Sequence, residues 1–145
     1  MFRDSPSSHR EPTSREEIQG LLRLAERDLV QAKVPGLYPD GQFTFAYNAA
    51  LQLATAYLRL HHVRVRVSRH HLRTSQELVV LLPSEQRQFA FDFEHARRKR
   101  HRLMYDQAGV VSEAEAEALI VAVQEFRAWL RKELVERFAD YANGK

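Results

Sequence analysis

Residues 43–60, FTFAYNAALQLATAYLRL, constrain the fold of this chain more than any other segment. The run holds one charge, Arg59, and alanine recurs at positions 46, 49, 50, 54 and 56. A helix that is apolar around its circumference has to be surrounded, and alanine lets neighbouring backbones come close. The segment therefore predicts a central helix wrapped by others. Tyr47 and Asn48 sit within it. A buried amide needs hydrogen-bond partners, so Asn48 is either tied to a loop carbonyl or belongs to a site.

The flanking sequence supplies the surrounding helices. Ser14 followed by Glu17 has the spacing of a capping box and opens a helix carrying Ile18, Leu21, Leu22, Ala25 and Leu29. Val34-Pro35-Gly36 ends it. A third helix runs from His71 through Leu78 and Leu82 to Pro83, and Ser84 caps a fourth that Gly109 closes. Ser112 and Glu115 form a second capping box, with Val111 placed to staple onto Ala116. The last helix then runs to about Tyr141, with Leu119, Val123, Phe126, Leu130 and Leu134 inward. Between Leu60 and His71, Val63, Val65 and Val67 alternate with Arg64 and Arg66 in a strand-like pattern. One short strand has nothing to pair with, so an extended loop is expected, or an edge strand added in a dimer. The expected fold is all-α: an antiparallel bundle of about five helices over residues 14–141. Residues 1–13, rich in Ser, Pro and charge, read as a disordered tail, and 142–145 as a disordered C-terminus.

Composition narrows the chemistry. The 145 residues suit one domain with a core of its own. Absence of cysteine excludes disulfides, thiol catalysis and Cys-based zinc sites, and the cytoplasm is the expected location. No apolar run approaches ~18 residues, so no membrane span is expected. Net charge is only +3, yet between Arg59 and Arg102 eleven Lys or Arg face four acids, a local excess of seven. Such a positive field suits phosphate-bearing ligands or an acidic protein.

That charge peaks in RRKRHRLMYD, residues 97–106, at the end of the fourth helix. Phe89, Phe93, Ala96 and Leu103 mark an apolar face, and Arg100 falls on the same stripe, where a guanidinium must meet a carboxylate, a phosphate or a paired surface. Positions four apart lie about 40° around a helix, so Arg97, His101 and Tyr105 form one stripe while Arg100 points elsewhere. Two copies related by a two-fold axis would join both stripes into a basic cleft. The remaining histidines, His61, His62, His70 and His71, form adjacent pairs rather than the four-residue helical spacing of zinc ligands, and no metal or other cofactor is expected. His71 is placed to line the basic cleft. Tyr57 and Trp129 read as core, and no Gly-rich phosphate loop, nucleophile elbow or calcium loop is present.

The order DGQFTFAYNAALQLATAYLRL, then the HH-bearing loop, then RRKRHRLMYD, then SEAEAEALIVAVQEF resembles the HEPN superfamily of small helical bundles, over about residues 15–135. The resemblance implies a component of a toxin–antitoxin or phage-defence system, a homodimer, and metal-independent cleavage of RNA. It equally implies a non-catalytic module, encoded beside a small nucleotidyltransferase that would be its partner. The family's catalytic pattern is an arginine, a polar residue directly after it, and a histidine four to six residues beyond the arginine. By resemblance Arg100 takes the arginine place, His101 the polar place, and Tyr105 stands where the histidine belongs. No histidine follows His101. RNA cleavage through the 2′-hydroxyl needs a base near neutral pKa and a cation on the phosphorane, and Tyr is a poor base at neutral pH. The expected catalytic set is thus Arg100, His101 and Tyr105, with Arg97, Arg98, Arg102, His71 and Asn48 contacting RNA or nucleotide phosphate. A third class, a helical adaptor whose basic patch is only solvated surface, stays open.

Overall fold

In a computed structural model the chain is described at residues 8–66, 70–105 and 109–142, with the backbone alone at His70 and Tyr105. The described residues form five α-helices: α1 (Arg15–Ala32), α2 (Pro39–Leu60), α3 (His70–Leu81), α4 (Arg87–Tyr105) and α5 (Glu113–Arg137). α2 is the centre, as its composition demands. It packs on all four other helices, and Phe43, Ala46, Ala49, Ala50, Leu53, Ala54, Tyr57 and Leu58 are buried along it. Short connections hold successive helices antiparallel. An aromatic cluster fills the space between α2, α4 and α5: Phe89 stacks on Phe126 at 3.8 Å, and Tyr57 and Trp129 pack against Phe126. The Tyr57 hydroxyl donates to the carbonyl of Leu81 at 2.9 Å, which pins the end of α3 to α2. No helix among the described residues is long and apolar enough to cross a membrane.

The helix boundaries follow their local chemistry. Ser112 accepts from the Glu115 amide at 3.1 Å and Glu115 accepts from the Ser112 amide at 3.0 Å, a complete capping box. At Ser14 only half of one forms. Ser14 accepts from the Glu17 amide, but the Glu17 carboxylate is drawn off by Thr13, Arg59 and Arg64. Ser84 starts a single 3-10 turn, Ser84–Gln86, that runs into α4. α5 ends at Arg137, short of the expected Tyr141, and a 3-10 turn covers Ala139–Tyr141. Ala142 packs against the core rather than belonging to a loose end; residues 143–145 lie outside the described residues.

Two expectations are corrected together. Ser8–Arg10 is a strand, β1, not tail, and Val63–Val65 is its antiparallel partner, β2, not a loop. Ser8 pairs with Val65, His9 with Arg64 and Arg10 with Val63. The pairing is intramolecular, so the valine–arginine alternation needs no second copy to satisfy its backbone. Arg59 fixes the approach. Its side chain is 1% exposed and donates to the carbonyls of Glu11 at 2.9 Å and Pro12 at 2.6 Å, and to the Glu17 carboxylate at 3.1 Å. Ser8 is buried and donates to Glu77, while Arg73 donates to Ser8. Of the remaining tail expectation, residues 1–7 lie outside the described residues.

Candidate anion-binding site

The apolar face of α4 sets the site. Phe93 and Ala96 are buried, and Phe93 stacks on Tyr47 of α2 with ring centroids 5.4 Å apart. Residues one position further round the helix therefore emerge at the edge of the core, beside Tyr47. Arg100 does so: its guanidinium carbon lies 5.4 Å from the centre of the Tyr47 ring. The electron-rich face of a buried ring attracts a cation that water no longer screens. On another side Tyr47 meets α3. Its hydroxyl is 2.9 Å from Nδ1 of His71, with the two rings tilted at 35° and 5.6 Å apart. Tyr47 is fully buried. Burial pushes its phenol well above the ordinary tyrosine range, against the opposing pull of the nearby Arg100 and Arg97 charges.

Glu94 divides the basic run. It accepts two bonds from Arg97, each 2.8 Å, one from Arg98 at 2.8 Å and one from Ser75 of α3 at 2.8 Å. The Arg97 bonds above all, with those of Ser75 and Arg98, outweigh partial desolvation and hold its carboxyl down at about 2. Lys99 turns the other way and pairs with Glu115 of α5 at 3.0 Å. Arg97, Arg98 and Lys99 are therefore neutralised within the fold. Among the described residues Arg100 and Arg102 have no carboxylate. Arg102 is exposed, where water solvates it. Arg100 is different, because its Nε is buried without a hydrogen-bond partner, and a buried charged donor left unmade is costly.

The residues expected from the sequence are partly gathered here. Arg97, Arg100 and His71 converge on Tyr47, although Arg97 and Arg100 had been separated by helix phase: three positions apart, they flank one ring rather than facing different partners. Arg98 touches the cluster through Glu94. His101 and Arg102 are exposed on the last turns of α4. Tyr105 is the last residue of α4, and its side chain lies outside the described residues. Asn48 is half-buried, not buried, and its amide makes no hydrogen bond among the described residues, so neither of the partners expected for it is present there. No group of three His, Asp or Glu among the described residues could hold a metal ion. Sequence reasoning missed Tyr47, Glu94 and Ser75. A tyrosine inside an apolar helix was the available signal, since its hydroxyl must find a partner.

No family model, curated protein or solved structure matches this chain.

Proposed function

We propose that the chain is a HEPN-like protein of the toxin–antitoxin or defence kind, acting in the cytoplasm, that binds RNA or nucleotide phosphate at the basic end of α4. One observation carries this: Arg100 is held on a buried aromatic ring with no carboxylate, while its neighbours in the run are neutralised. A guanidinium kept desolvated and uncompensated is a poor structural element and a good phosphate ligand. Arg102 and His71 add donors around it, and Arg97 and Arg98 keep part of their hydrogen-bonding capacity beyond Glu94. Cleavage, where it occurs, is weak and metal-independent, with Arg100 on the phosphorane, His101 as base and Tyr105 orienting it.

The test is binding of a short single-stranded RNA across a salt series, followed by incubation in EDTA. Expected are affinity falling steeply with salt and a slow cleavage that EDTA leaves intact. Replacing His101 by Ala then removes a base, an effect of ~10²–10⁴-fold on cleavage. Failure to bind RNA even at low salt rules the proposal out.

A second function, docking of a protein partner, draws on a separate observation. Ser75 and Glu94 tie α3 to α4, and one turn further along this antiparallel pair Val79 and Phe91 are exposed, beside Val80 at 75% exposure. An apolar patch next to a basic one suits a second copy of the chain or a nucleotidyltransferase. Sedimentation that shows only monomer, with no co-purifying nucleotidyltransferase, would remove this function.

A further inference from the structure

We infer that His71 and Arg100 together form a phosphate clamp, with Tyr47 as the positioning residue that aims His71. The clamp serves the RNA-phosphate binding proposed above and rests on that proposal.

Two groups from different helices share one buried phenol. Arg100 of α4 lies over its ring, and His71 of α3 meets its hydroxyl. The hydroxyl decides how His71 is protonated. Tyr47 is fully buried, and His71 Nδ1 is the hydrogen-bond partner its oxygen has among the described residues. The phenol proton needs an acceptor, and in a neutral imidazole only the unprotonated nitrogen can provide one. A proton on Nδ1 would leave the buried O–H with none, the costlier arrangement. The phenol keeps its proton, since burial raises its pKa. Neutral His71 accordingly carries its hydrogen on Nε2, at the edge of the ring away from Tyr47. There it is a donor, not a base. His71 is half-buried at the start of α3, so this N–H sits at the margin of the core. The clamp thus consists of a guanidinium and an oriented imidazole N–H, both of which donate to anionic oxygen. Deprotonated oxygens of a phosphodiester or a terminal phosphate fit these two donors, and a neutral or cationic ligand does not. The division of labour also leaves the base role to a different residue, consistent with His101 on α4.

The test uses the full chain, a short fluorescein-labelled single-stranded RNA and inorganic pyrophosphate as probes. Nitrogen NMR of the imidazoles should show His71 protonated at Nε2 in the wild type, and Tyr47→Phe, which keeps the ring beneath Arg100, should release it to a mixture of tautomers. His71→Ala should weaken RNA binding by about tenfold, the loss of one charge-assisted hydrogen bond. Tyr47→Phe should weaken it by roughly three- to tenfold, and the double variant should be no weaker than His71→Ala alone, because Tyr47 acts through His71. A His71 spectrum with the proton on Nδ1, additive losses in the double variant, or wild-type binding by His71→Ala would overturn the clamp. If Tyr47→Phe fails to fold, the wild-type nitrogen spectrum and His71→Ala decide the question by themselves. Loss of RNA binding in Arg100→Gln with none in His71→Ala leaves RNA binding standing and removes the clamp. Absence of RNA binding with pyrophosphate shifting both the His71 and Arg100 side-chain resonances does the reverse, and no response to either probe removes both.

Discussion

Replacing Arg100 by Met should make the protein more stable and worse at binding. Met follows the same path along the apolar stripe, has good helix propensity and fills irregular space. The change gives up the contact between the guanidinium and the Tyr47 ring, 5.4 Å apart, worth about 0.5–2 kcal/mol. It also removes an Nε buried without a partner, a defect that costs about 1–3 kcal/mol and more for a charged group. Net stabilisation of about 1 kcal/mol follows, a rise in Tm of about 2–4 °C for a chain of this size. Affinity for single-stranded RNA should fall about 10–100-fold, with the slope of log affinity on log salt shallower by about one. Thermal unfolding and fluorescence anisotropy over a salt series measure both. A fall in Tm of several degrees would show that Arg100 supports the fold, and its assignment to an outside ligand would then lose its basis.

Replacing Arg59 by Leu strips the donors from the carbonyls of Glu11 and Pro12 and from Glu17; breaking a buried charged network costs about 3–5 kcal/mol. Tm should drop by roughly 6–20 °C, and the amides of Val63 and Val65 should lose hydrogen-exchange protection before those of α5. In acid, Glu94 is the group to follow. Its folded pKa, near 2, lies below the ordinary 4.5, so its contribution is complete above about pH 4.5 and is lost as pH falls toward 2. Because Glu94 is partly exposed, solvent screening keeps the effect modest. Urea midpoints at descending pH should fall less in Glu94→Gln than in the wild type; parallel curves would contradict the assignment.

Much of the helical layout was legible because it rests on local rules. Alanine spacing and low charge marked α2 as central, and Ser112 with Glu115 announced the start of α5. β1 was not legible: Ser8-His9-Arg10 has no apolar alternation, and its place depends on a buried arginine more than fifty residues away. Arg59 itself was a readable signal, as the lone charge in the most apolar helix, since a buried guanidinium requires partners. For the site, phase placed Arg100 correctly on the apolar stripe. The stripe analysis separated it from Arg97 because it considered α4 alone, whereas Tyr47 of α2 brings both to one ring. Glu94 was counted as one acid among eleven bases, and only the fold shows that it takes two of them.

The β1–β2 ladder has a kinetic consequence. α1 and α2 are joined by six residues and can dock early, while the register Ser8 to Val65 closes a loop that encloses both helices. Loop-closure entropy has to be met before such a contact is rewarded. During refolding the strands are therefore expected to zip after the α1–α2 hairpin has formed, and the last protection to appear in pulsed hydrogen exchange should be at residues 63–65, a timer for completion at one end of an otherwise locally connected bundle.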